Sequence, residues 1–194
     1  MQATTGMDSV EVLKLIQDDK YTAKHCWRVA YYAELIAKEL RLSEEDIWMV
    51  REAALIHDVG KIGVERATLL KPKELNEEEK HCIELHPLVG VAIASHLNDN
   101  PSIIQIISQH HEQPDGNGYP HHLKAKQIDL KAAILRVADA FDAMTTDRPY
   151  SKARTVWQAL KELKDLVGTK FEEKSVKALE AIIKREPTKK QIEL

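Results

Sequence analysis

The chain has 194 residues, enough for one domain with a sizeable buried core. Its 43% hydrophobic and 30% charged residues are the proportions of a soluble globular protein, and a net charge of -3 excludes a global attraction to nucleic-acid polymers or an anionic membrane. The 2 cysteines, Cys26 and Cys82, exclude a disulfide framework and a CxxC metal site, so a reduced, cytoplasmic setting is expected.

No basic stretch followed by an apolar core marks a signal peptide at Met1 to Val10. The longest charge-free stretch, Leu85 to Asn98, is too short to span a bilayer. With 7 Gly and 7 Pro, long helices are easier to build than many-turned sheets. A lead-in helix is expected over 8–18. From Thr22 to Leu40, His25, Val29, Tyr32 and Ile36 share one helical face. Ser43 and Asp46 form a capping signature for the next helix, whose inner face carries Ile47, Val50, Ala54 and His57. Gly60 and Gly63 end that helix in a compact turn.

Asn76 with Glu79 repeats the capping signature, and Pro87 is expected to interrupt or kink the helix that follows. Pro101 suits the first turn of a helix ending at His110-His111. Residues 112–127 form the one long irregular segment. Ile134, Val137, Ala138 and Phe141 mark another helix, and two more are expected over about 152–167 and 172–185. The whole reads as an all-α bundle. The expected parts are a lead-in over 1–20, a domain over 21–186 and a polar tail over 187–194.

The chemistry lies in the histidines. His57-Asp58 ends an apolar helix face, His86 precedes a proline, His110-His111 closes a helix, and Asp139 lies inside an apolar pattern. Taken singly, each has an ordinary reading. His25 could be a hydrogen-bonded core histidine, and Asp139 and Asp142 a solvated face. Taken together, five histidines and an aspartate at helix ends and inner faces point to a shared metal site. Imidazoles with carboxylates suit iron, manganese or zinc, and an aspartate between histidines can hold two such ions.

Three segments carry a resemblance. Ala53 to Gly63 (AALIHDVGKIG), His110 to Pro120 (HHEQPDGNGYP), and Ala138 to Met144 (ADAFDAM) with Arg148-Pro149-Tyr150 occur in the order found in HD-GYP domains of the HD superfamily of metal-dependent phosphohydrolases. The resemblance covers roughly residues 21 to 175. It implies an all-α HD-superfamily helical bundle that hydrolyses the bacterial second messenger cyclic di-GMP through a metal-activated hydroxide. It implies metal ligands at His25, His57, Asp58, His86, His110, His111 and Asp139, with Asp58 bridging two divalent ions, iron first and manganese or zinc as alternatives. Asp58 and Lys61 would be catalytic. Lys61, Asp142, Arg148, Gly118 and Tyr119 would line the substrate site, with the 112–120 loop at its mouth.

Two departures bear on this. Some family members place a glutamate where Tyr21 stands, which favours two metals over three. Ser151 stands where a basic residue commonly follows the arginine-proline-tyrosine triplet. His81, His96, His121 and His122 match no ligand position. Cys26 and Cys82 are expected as small core residues, and Trp27, Trp48 and Trp157 in buried packing. Competing readings are an HD phosphohydrolase acting on another nucleotide and a low-turnover signalling module that binds a partner protein through the 112–127 loop.

Overall fold

A computed structural model describes residues 20–69, 71, 73–97, 100–147 and 152–185. The expected lead-in helix at 8–18, Arg148, Ser151, the tail at 187–194 and the side chain of Tyr21 lie outside the described residues. Within them the chain is a helical bundle: α1 (Lys20–Glu39), α2 (Glu44–Ile56), the short α3 (Arg66–Leu69), α4 (Glu77–Glu84), α5 (His86–Leu97), α6 (Pro101–Gln109), α7 (Leu130–Thr145), α8 (Val156–Asp165) and α9 (Glu173–Arg185). Two 3-10 turns, Val59–Gly63 and Ala125–Gln127, interrupt the series. Among the described residues there is no strand, only the isolated bridges Asp115–Lys124 and Val167–Phe171. No helix among them is long and apolar enough to cross a membrane.

The helix starts are set by side chains that satisfy otherwise orphaned amides. Ser43 accepts from the Asp46 amide at 3.1 Å. Asn76 and Glu79 cap reciprocally at 2.8 and 2.9 Å, as do Thr155 and Gln158 ahead of α8. As expected, the helical run is interrupted near Pro87, and it is not kinked. Pro87 occupies the second position of α5, where its missing N–H forfeits no intrahelical bond, so α4 stops at Glu84 and a new helix begins at His86.

The core sits where α1 lies across α2 and α7, with α6 beside α2 and α9 against α1. Ile36, Leu55, Ile103, Ile107, Ile134, Phe141 and Leu179 are fully buried there. Each large apolar side chain of this kind stabilises the fold by about 1.5–3 kcal/mol relative to exposure. Tyr32 meets Phe141 edge to face at 5.0 Å and ties α1 to α7.

Cys26 belongs to this core, but Cys82 is exposed on α4, a helix with no buried residue. The three tryptophans are also not buried: Trp27, Trp48 and Trp157 are 36%, 46% and 51% exposed. For Trp48 the reason is helical phase. Its neighbours Ile47 and Val50 set the inner face of α2, and position 48 falls outside it.

Candidate metal centre

His57 caps the C-terminal end of α2, and its Nδ1 donates to the Ala54 carbonyl at 2.8 Å. Asp58 then opens the first 3-10 turn. Residues three apart eclipse in a 3-10 helix, so Lys61 returns over Asp58 and its Nζ donates to Oδ2 at 2.6 Å. Gly60 is the close-approach residue of this turn: a Cβ there would lie 2.0 Å from the His86 carbonyl oxygen and 2.5 Å from the Gly90 nitrogen. Backbone therefore packs on backbone, and the first residue of α5 arrives beside the turn. His86 Nε2 lies 3.5 Å from Asp58 Oδ1. His86 Nδ1 donates to Ile83 O at 2.7 Å, and His110, capping α6, donates from Nδ1 to Ile107 O at 2.7 Å.

These three bonds settle the tautomers, because a carbonyl only accepts. Each neutral ring carries its proton on Nδ1 and presents a lone pair at Nε2. His86 Nε2 and His110 Nε2 nevertheless face each other at 3.2 Å. Protonating either is unfavourable. Burial pulls His86 down to about 4 despite the Asp58 charge, and burial holds His110 and His111 well below the usual histidine range. Buried lone pairs aimed at one another call for a cation between them.

Two further atoms say the same: His57 Nε2 and Asp58 Oδ1 are buried with no hydrogen-bond partner among the described residues. The donor atoms fall into two groups, each within 4.8 Å: Asp58, His86, His110 and His111 in one, and His25, His57 and Asp58 in the other. Asp58 is common to both. Imidazole with carboxylate is a donor set for borderline divalent ions, so these residues fit a metal. Burial alone would raise the Asp58 carboxyl, but Lys61 and the surrounding histidines hold it well below the usual range.

Asp139 stands beside the second group rather than within either. Its Oδ1 lies 3.2 Å from His25 Nε2. Asp142 faces inward: it is 1% exposed, and its Oδ2 accepts from His25 Nδ1 at 2.7 Å. Arg28 grips the same carboxylate with Nε and a terminal nitrogen at 2.6 and 2.9 Å. This corrects the substrate-facing place expected for Asp142, whose oxygens are taken by His25 and Arg28. Burial lowers His25, yet its bonds to Asp139 and Asp142 outweigh that and raise it to about 9.

The loop after α6 is also tied down from within. The Glu112 carboxylate, 1% exposed, accepts the His121 and Leu123 amides at 2.6 and 2.8 Å. Tyr119 stacks on His111 with centroids 4.7 Å apart, and the Tyr119–Pro120 peptide is cis. Gly118 is buried, and a Cβ there would strike Gln113 N at 2.3 Å and Glu112 Cα at 2.5 Å. Its backbone is held in close loop packing.

Residues 12–174 match the HD domain family. The chain belongs to that family. A 3'3'-cGAMP-specific phosphodiesterase (number 3) of Vibrio cholerae is 37% identical over 159 residues, which is 82% of this chain and 35% of that protein. A cyclic di-GMP phosphodiesterase of Thermotoga maritima is 36% identical over 183 residues, 91% of this chain and 48% of the relative. The HD domain thus spans between a third and a half of the length of these relatives. The structure of Bd1817, an HDG"Y"P protein from Bdellovibrio bacteriovorus, superposes with a TM-score of 0.70 at 22% identity, covering 91% of this chain and 61% of that one, and shares the fold.

The sequence reading missed Arg28 and Glu112 as parts of the site. Both had a signal. Arg28 is one helical turn beyond His25, and Glu112 directly follows the histidine pair.

Proposed function

We propose that this HD domain is a metal-dependent phosphodiesterase acting on a cyclic dinucleotide, cyclic di-GMP first. The observation that carries the reading is the meeting of two ligand groups at Asp58. Two divalent ions, iron first and manganese or zinc as alternatives, would be held by His25, His57, Asp58, His86, His110, His111 and Asp139, with Asp58 common to both. When bound, such a pair supplies a water of lowered pKa and positive charge against the phosphoryl oxygens.

The chain's own residues divide the remaining work. The Ala54, Ile83 and Ile107 carbonyls fix the rings of His57, His86 and His110 with Nε2 inward. Arg28 and Asp142 do the same for His25. The Lys61 side chain is 32% exposed at the edge of the cluster, and its ammonium is placed to neutralise charge that develops on a phosphoryl oxygen. Arg148 would orient the substrate, and Tyr119 and Gly118 would shape its mouth. The substrate class rests on the names of the relatives. The domain is taken as 21–186, working in the cytoplasm. A signalling partner at the 112–127 loop would meet the exposed Asp115, Asn117, His121 and His122.

The test is turnover by the full, metal-loaded chain on cyclic di-GMP and 3'3'-cGAMP in parallel. Hydrolysis of cyclic di-GMP at the higher kcat/KM supports the reading. Preference for 3'3'-cGAMP moves the specificity, and hydrolysis of neither removes the phosphodiesterase assignment.

A further inference from the structure

A cavity of about 380 Å³ lies behind the 112–127 loop, between the start of α7 and the turn from α8 to α9. That is within the range of small-molecule sites, about 300–1,000 Å³. None of the residues in the two ligand groups lines it. Ile128, Leu130, Ala133, Val167 and Phe171 make its wall apolar. Arg136 is the one arginine in that wall. Its Nε donates to the Lys170 carbonyl at 2.9 Å, and its guanidinium carbon sits 5.4 Å from the Phe171 ring centroid.

The carboxylates around the cavity have other partners. Glu112 holds the His121 and Leu123 amides, Glu172 accepts from the Lys174 and Ser175 amides, and Glu173 pairs with Lys177. Among the described residues no carboxylate pairs with Arg136. Lys170 and Lys174 add positive charge at the rim. Asp139, Asp115 and Glu112 act on Arg136 through space and no ion pair with it forms among the described residues, so the terminal nitrogens of its planar fork are left to fit a carboxylate through two parallel bonds.

We propose that this cavity is a second ligand site, for a compact apolar molecule bearing one carboxylate. The apolar body lies on Ile128, Leu130 and Ala133, and the carboxylate meets Arg136. The cavity adjoins the metal centre along the chain: Arg136 is one turn before Asp139 on α7, and Glu112 directly follows His110-His111. The proposal is independent of the phosphodiesterase reading, because binding is measured without turnover.

The experiment titrates the full chain with 2-naphthoate and with its neutral isostere 2-naphthamide, by calorimetry and by NMR. We expect one saturable naphthoate site, with naphthamide at least tenfold weaker. Arg136→Met, which keeps the aliphatic stem, should abolish the difference between the two probes, and Arg136→Lys should restore part of it. Ala133→Leu, which fills the cavity from its wall, should weaken both, with its thermal melt confirming the fold. Equal binding of acid and amide to the wild type overturns the proposal. So does naphthoate binding unchanged in Arg136→Met, or no saturable binding up to the solubility limit.

Discussion

Gly60 and Gly63 stand in the same motif and face opposite circumstances. A Cβ at Gly60 would meet backbone, 2.0 Å from the His86 carbonyl oxygen and 2.5 Å from the Gly90 nitrogen. Neither atom is the end of a flexible side chain, so α5 must move away from the turn. Overpacking costs about 1–3 kcal/mol and more when the obstruction is rigid, so Gly60→Ala should cost about 3 kcal/mol. At about 2–4 °C per kcal/mol for a chain of this size, that is a fall in Tm of about 6–12 °C. The shift also separates His86 from Asp58, so metal affinity should fall with stability. At Gly63 the nearest atom to an added Cβ is a Val89 methyl at 3.6 Å, an ordinary contact. Gly63→Ala should stay within about 0.5 kcal/mol of the wild type. Urea denaturation of the metal-free proteins, followed by calorimetric metal titration, reads both effects. Equal stabilities for the two variants, or a Gly60→Ala protein with wild-type Tm and metal affinity, would refute the close-approach argument.

Arg28→Met leaves Asp142 without its fork and loosens His25; metal affinity should fall about 10–100-fold, as for other residues that orient a ligand, while circular dichroism stays unchanged. Lys61→Ala should keep its metal and lose about 10²-fold in kcat with little change in KM, since its contact strengthens as charge develops; a change in KM alone would make it a binding residue. The Lys131–Asp46 bond at 3.0 Å joins α7 to α2 and, with Ser43, holds the Asp46 carboxyl below its usual range. A lowered folded-state pKa contributes stability above the unfolded value of about 3.9 and loses it as pH falls through the folded value. The gap in Tm between wild type and Lys131→Met should therefore shrink on acidification, and a gap that grows would reverse the assignment.

Much of this molecule was legible in its sequence because the signals were local. Ser43 with Asp46 and Asn76 with Glu79 cap where their spacing says they do, and α7 follows the period of Ile134, Val137 and Phe141. Three of the histidines that converge, His57, His86 and His110, sit at helix ends, where a ring can bond back to the preceding turn and aim Nε2 into the cluster, whereas His25 lies within α1 and is aimed by Asp142. Orientation was less legible. Asp142 lies one turn from Asp139, but whether it faces substrate or His25 depends on Arg28 from a helix 114 positions away in sequence. The exposure of Cys82 likewise follows from α4 burying no residue, which spacing within one helix does not encode, whereas that of Trp48 was there to be read in the phase of α2. The cavity at Arg136 is assembled from three separate segments.

The proposed chemistry turns on Asp58 being shared by two ions. Anomalous diffraction from crystals of the manganese-loaded protein decides it. Two peaks are expected, one on each side of Asp58, with His86, His110 and His111 around one and His25 and His57 around the other, and both should be lost in Asp58→Ala. A single ion, three ions, or peaks away from Asp58 would contradict it.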